Sequence, residues 1–131
     1  MNVLPDTHTI LWDFLGDPRL GEASKQILFS RESSIRVSAV SIWEIAMKVS
    51  LGKLSLGRPI EEFMERVARH LHFRHLPMTA AHAVAVSRLP FHHKDPFDRM
   101  LIAQAQFEGL TIVTADEEFS KYDVPVLDAR R

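Results

Sequence analysis

Short apolar runs alternate with longer amphipathic ones along this chain. Asn2-Val3-Leu4-Pro5 reads as a short strand closing at Asp6. Thr9 to Leu15 then reads as a helix, with Ile10, Leu11, Phe14 and Leu15 on one stripe. Gly16-Asp17-Pro18 breaks that helix, and Leu20, Ala23, Ile27 and Leu28 mark a second one. Ile35 to Val40 favours a strand, followed by a helix from Ser41 that ends near Val49. Gly52 and Gly57 punctuate the next stretch, after which Ile60, Phe63, Met64, Val67 and Leu71 recur at helical spacing. Phe73 to Met78 predicts a third strand and Ala80 to Leu89 a further helix. Asp95-Pro96 opens a helix running to Phe107, which Gly109 closes. Leu110 to Thr114 and Val124 to Leu127 complete the strand set.

Strands separated by helices imply βαβ crossovers, hence an α/β fold with a mostly parallel sheet covered on both faces. In such a sheet every strand ends at the same edge and every following helix begins there. Binding and catalytic sites of open α/β sheets form at that edge.

A length of 131 residues suits one domain, 1–131, and 46% hydrophobic residues suffice for a core without staples. There are no cysteines, which excludes disulfides, zinc–thiolate sites and thiol nucleophiles and is compatible with a reducing cytoplasm. No signal-peptide pattern and no bilayer-length apolar stretch is visible. The formal net charge of −1 does not mark a nucleic-acid binder. If RNA is a substrate, its attraction has to come from local cations and bound metal.

Four acids fall where that edge is expected. Asp6 closes the first strand, Glu44 and Asp98 lie in the first turns of two helices, and Asp116 follows the strand Thr111-Ile112-Val113-Thr114. Each has a structural explanation. Asp6 and Asp116 fit helix N-caps, Ser41-Ile42-Trp43-Glu44 fits a capping box, and Asp98 would complement a helix dipole behind the Asp95 cap. Together, without basic partners of matching placement, they would repel one another unless a divalent cation intervened. Hard oxygen ligands suit Mg²⁺ or Mn²⁺, and such ions activate water and stabilise the leaving oxygen in phosphodiester hydrolysis.

Other residues admit competing roles. His92-His93 raises a zinc site, but there is no cysteine and no i, i+4 histidine pair beside it. His8 either lines the groove or is a hydrogen-bonded structural histidine. Lys48, Lys94 and Arg99 are candidate RNA-phosphate contacts, with a solvated helix face as the alternative. Trp43 and Trp12 read as core or dimer contacts rather than stacking platforms. A phosphate-handling receiver or phosphatase ranks low, because there is no Gly-rich loop and no D-x-D-x-T sequence.

Four blocks in order carry a family resemblance: Asp6-Thr7-His8; Val37 through Ile45, which includes Glu44; His93-Lys94-Asp95-Pro96-Phe97-Asp98 running on to Ala105; and Thr114-Ala115-Asp116. Over nearly its whole length the chain resembles PIN-domain nucleases, specifically the VapC-type toxin ribonucleases of type II toxin–antitoxin pairs. The resemblance implies a three-layer α/β/α sandwich with a five-stranded sheet in order 3-2-1-4-5. It implies a metal-dependent ribonuclease using Mg²⁺ or Mn²⁺, with Asp6, Glu44, Asp98 and Asp116 as the acidic quartet, holding metal directly or through water. It favours Asp98 over Asp95 as the ligand, with Asp95 as cap and Thr114 supporting the site. A homodimer and a cognate antitoxin are its implied partners. One departure is Pro5, where the family has a strand-forming apolar residue. Proline in a central strand is expected to end it early or bulge it and shift Asp6. That is the ground for the alternative, a catalytically silent PIN fold acting as an interaction module.

Overall fold

The computed structural model describes Met1–Arg131, the side chain of Leu71 excepted. Its elements are β1 (Asn2–Pro5), α1 (Thr7–Leu15), α2 (Glu22–Phe29), β2 (Ser34–Ser38), α3 (Ala39–Ser50), α4 (Ile60–Leu71), β3 (Arg74–Leu76), α5 (Ala80–Val86), α6 (Pro96–Glu108), β4 (Thr111–Thr114) and β5 (Val126–Asp128). The five strands form one sheet in the order β3-β2-β1-β4-β5. All four pairings are parallel. The expected α/β/α class and strand order are therefore observed.

Strand alternation builds two cores. Val3, Ile35, Val37 and Val113 point to one face, where they meet Ile10, Leu11, Leu28, Phe63 and Val67 from α1, α2 and α4. Leu4 and Ile112 point to the other, against Leu101, Ile102 and Ala105 of α6. Between those layers lies the edge where β1, β2 and β4 end.

Local capping sets where the helices begin. Asp6 accepts from the Thr9 amide at 2.9 Å, so α1 starts at Thr7, two residues earlier than the apolar stripe suggests. Ser38 caps the Val40 amide at 3.0 Å, which ends β2 and starts α3 earlier than the expected Ser41. The proposed Ser41–Glu44 capping box is thus corrected: Ser41 is already helical, and Glu44 lies in the second turn. The sequence pattern also misses a 3₁₀ turn, Glu117–Lys121, capped by Asp116.

Pro5 neither shortens nor bulges β1. It pairs with Val113 of β4, and the Asp6 amide donates to the Val113 carbonyl at 3.0 Å. Because strand amides alternate in direction, residue 5 faces β2, whose ladder with β1 ends at Val3–Ile35. The missing N–H therefore costs no bond to β4.

Candidate functional site

Asp6 emerges from the sheet with both carboxylate oxygens engaged. Oδ1 accepts from the Thr9 amide at 2.9 Å, and Oδ2 accepts from the Thr114 hydroxyl at 2.6 Å. Thr114, at the end of β4, also receives the Asp116 amide at 3.0 Å, so one hydroxyl ties the β1 and β4 acids together. Burial raises the Asp6 carboxyl above the usual range, against the lowering effect of the Thr114 and Thr9 hydrogen bonds.

Glu44 approaches from α3. It is 4% exposed; Oε2 receives Lys48 Nζ at 2.9 Å, while Oε1 is buried with no hydrogen-bond partner. Lys48 is the basic partner that the four acids were expected to lack. Its signal is in the sequence as an i, i+4 Glu–Lys pair. One turn earlier on α3, Ser41 accepts the Thr7 hydroxyl at 3.1 Å and pins the start of α1 to this helix.

Asp98 arrives on the first turn of α6, whose N-cap Asp95 accepts its amide at 3.0 Å. The capping role expected for Asp95 is thus observed. The Asp98 carboxyl is pushed up to about 8, first by burial and then by the negative charges of Asp95, Asp6, Glu44 and Asp116. The acids after β1 and β4, on α3 and at the start of α6 are thus near enough for their charges to act on one carboxyl. Asp116 is the exposed member, and its Oδ1 also caps the 3₁₀ turn through the Glu118 amide at 2.9 Å.

Among the described residues, no three acidic or imidazole side chains already form a group that could hold a metal ion. Mg²⁺ does not require such a cage, because it keeps several waters and uses one or two carboxylates. The donor set fits a hard divalent cation on two further counts. It is made of carboxylate oxygens, and the buried, unpartnered Glu44 Oε1 is the kind of atom a cation or its water would satisfy.

The cationic candidates separate. Arg99 is corrected: only 5% exposed, its guanidinium donates to the Pro90 carbonyl at 2.7 Å and to the Tyr122 hydroxyl at 3.2 Å, and it stacks 4.1 Å from the Phe91 ring. It has no free face for RNA. Lys94 is exposed, and Lys48 is held by Glu44. His8 is exposed and contributes a small favourable charge to Asp6. Trp43 is 60% exposed, edge-on to Phe97 at 5.0 Å, so it is not a core residue. Trp12 is half-buried against the α1–α4 core, with Arg19 over its ring at 4.7 Å. His92 packs edge-on to Tyr122, whereas His93 turns inward toward Tyr122 and Asp98. Sequence reasoning missed this last group, because Tyr122 lies far along the chain from both.

The PIN domain family model matches residues 3–125. The chain is 30% identical to Ribonuclease VapC22 of Mycobacterium tuberculosis over 125 residues, covering 94% of this chain and 93% of that protein. Among solved structures, VapBC2 from Rickettsia felis, bound to a DNA fragment from its promoter, superposes with a TM-score of 0.76 at 14% identity, covering 97% of this chain and 98% of that one. A toxin–antitoxin complex from Klebsiella pneumoniae gives a TM-score of 0.66 at 17% identity, covering 97% of each chain.

Proposed function

The chain belongs to the PIN domain family, and from that premise we propose that it is a divalent-metal-dependent ribonuclease acting as the toxin of a type II toxin–antitoxin pair. The observation that carries this reading is the setting of Asp98, a carboxyl only 17% exposed and within reach of the charges of Asp95, Asp6, Glu44 and Asp116, which with burial push it up to about 8. Like charges gathered at a cost to folding call for a counter-charge, and the relative named as a ribonuclease supplies the reaction class.

In this proposal Asp6, Asp98 and Asp116 hold Mg²⁺ or Mn²⁺ directly or through water, and Glu44 completes the set. The bound ion supplies a lowered barrier to water attack at phosphorus and neutralises charge on the leaving oxygen. The protein's own residues arrange the ground for it. Thr114 and the Thr9 amide fix the Asp6 carboxylate, each occupying one oxygen and leaving that oxygen's other lone pair free. Lys48 aims Glu44 by taking Oε2 and leaving Oε1 open. Lys94, exposed on the loop before α6, and Lys48 are the proposed contacts for RNA phosphates, since the net charge of −1 provides no general attraction. A cognate antitoxin, a homodimeric state and a cytoplasmic setting accompany the proposal. Among the described residues no helix is long and apolar enough to cross a membrane.

The test is cleavage of a mixed RNA pool by the purified chain with Mg²⁺ or Mn²⁺ against EDTA, beside Asp98→Asn. Cleavage is expected with metal alone and should fall by about 100-fold or more in the variant, since loss of outer-shell partners by itself costs 10- to 100-fold. Cleavage that survives EDTA, or that Asp98→Asn leaves unchanged, overturns the proposal.

A further inference from the structure

A buried hydrogen-bond chain runs into the acidic edge from a side the nuclease reading does not use. It begins at Arg99, whose guanidinium is locked by the Pro90 carbonyl at 2.7 Å and the Phe91 ring. Arg99 Nη1 donates to the Tyr122 hydroxyl at 3.2 Å, and the His93 backbone amide donates to the same oxygen at 3.3 Å. The Tyr122 oxygen lies 2.8 Å from His93 Nδ1. At the far side of that ring, His93 Nε2 stands 3.5 Å from Asp98 Oδ2, the two side chains being 13% and 17% exposed.

The direction of each proton follows from counting. A guanidinium and a backbone amide can only donate, so between them they take the acceptor capacity of the Tyr122 oxygen. Its own proton therefore goes to His93 Nδ1, the only other partner within reach among the described residues. A neutral imidazole accepting at Nδ1 carries its proton on Nε2. That Nε2 is buried and has no hydrogen-bond partner, an uncommon state for a buried donor. Its nearest acid is Asp98, a few tenths of an ångström beyond a good hydrogen bond.

We propose that His93 is a positioning residue for Asp98: Arg99 and Tyr122 fix its ring as the Nε2–H tautomer, and that N–H closes onto Asp98 Oδ2 when the acidic site is loaded, holding the carboxylate in place for the cation. The proposal rests on the metal reading of the site. It accounts for an arginine, a tyrosine and a histidine buried beside the acids without asking any of them to touch RNA. A histidine serving only as packing needs neither a fixed tautomer nor a donor aimed at a carboxylate.

Two readouts separate these roles. Nitrogen-15 shifts of the His93 ring in the metal-free chain are expected to show Nε2–H, and Tyr122→Phe, which keeps the ring and removes the hydroxyl, should give mixed tautomers. In Mn²⁺ titration, His93→Ala should lose roughly 10- to 100-fold in affinity, the usual effect of removing an outer-shell partner. His93→Gln, whose amide N–H reaches the place of Nε2–H, should recover most of that loss. An Nδ1–H ring in the parent chain, equal Mn²⁺ affinity in His93→Ala, or a glutamine variant no better than alanine overturns the proposal. If the parent chain itself binds no Mn²⁺, the ribonuclease reading falls, and the nitrogen shifts still decide whether Arg99 and Tyr122 set the tautomer.

Discussion

Two of the polar clusters buried among the described residues are built on opposite principles. Behind α5, Ser38 donates to Gln104 Oε1 at 2.5 Å, and the Gln104 amide reaches the Pro77 carbonyl at 3.3 Å and His82 Nδ1 at 3.4 Å. His82 is the N3 residue of a capping box with Thr79, and its Nε2 meets Glu108 at 2.9 Å. Two donors aim at Nδ1, so the ring proton sits on Nε2 and Glu108 receives it. Each of these groups has a partner of the right kind. At the sheet edge, by contrast, Glu44 Oε1 and His93 Nε2 are buried without partners, and Asp98 is pushed up to about 8 among like charges. A satisfied network specifies structure, whereas an unsatisfied one leaves donors and acceptors open to a ligand.

The sharpest way to break that contrast is to remove one member from each cluster. Gln104→Met keeps the volume but strips the amide from a fully buried position, leaving the Ser38 hydroxyl and the Pro77 carbonyl short of a partner. Two such groups cost about 2–6 kcal/mol together, at roughly 1–3 each, read as a lower urea midpoint with an unchanged slope. A loss under about 0.5 kcal/mol would mean that water replaces the amide, and that the α5 cluster is less closed than its geometry states.

Removing a member of the acidic edge should do the reverse in the absence of metal. Asp98 is pushed up to about 8 from an ordinary 3.8, so between those values the folded chain holds a proton that the unfolded chain has released. Stability must then fall as pH rises through that window, because the folded state is the one binding more protons. Asp98→Asn removes the titration and should stabilise the metal-free chain at pH 8 by about 1–3 kcal/mol, with the two chains converging near pH 4. Saturating Mn²⁺ should reverse the ranking, since ligand at a hundredfold excess over its Kd adds about 2.7 kcal/mol to the chain that binds it. Parallel melting curves across pH would show that Asp98 is an ordinary cap-side acid.

The contrast also explains what the sequence made legible. Apolar alternation and turn residues suffice for the α/β class, because a strand buried on both faces and a helix with one stripe leave different periods. Asp6, Glu44, Asp98 and Asp116 stand out in the sequence because each sits at a strand end or early in a helix, positions that topology alone brings to one edge. The α3 start was misplaced because Ser38 and Ser41 are both plausible caps, and only the end of the β2–β3 pairing at Ser38 decides between them. Arg99 stands as a candidate for RNA or for a solvated helix face because residue type cannot distinguish a surface cation from one locked on the Pro90 carbonyl and the Phe91 ring. The Arg99–Tyr122–His93 chain was invisible for the same reason: its partners are 23 and 29 residues apart and meet only in the fold.

A smaller effect probes how the acidic edge is held. Thr114→Val preserves shape at the end of β4 and deletes the donor to Asp6 Oδ2. The expected cost is about 1 kcal/mol of stability, that of one buried hydrogen bond. The Asp6 carboxyl, already raised by burial and lowered chiefly by this hydroxyl, should move further up. Mn²⁺ binding would then weaken at neutral pH and recover as pH rises, because the cation competes with a proton for the carboxylate. Weakening that does not depend on pH would instead mean that Thr114 acts through the Asp116 amide, its other partner.

The smallest effect expected is at Pro5, and it bears on whether the central strand presents Asp6 properly. Pro5 is buried, paired with Val113, and turned so that its missing amide faces β2 beyond the last β1–β2 pairing at Val3–Ile35. Pro5→Ile adds a β-branched side chain suited to a strand but loosens the unfolded chain, two effects of opposite sign, so stability should stay within about 1 kcal/mol of the parent. Mn²⁺ affinity should not change, because Asp6 is positioned by the Val113 carbonyl, the Thr9 amide and the Thr114 hydroxyl, none of which involves residue 5. A tenfold gain in affinity would mean that proline holds Asp6 off its productive position. The acidic edge would then be limited by its backbone rather than by the side chains around it.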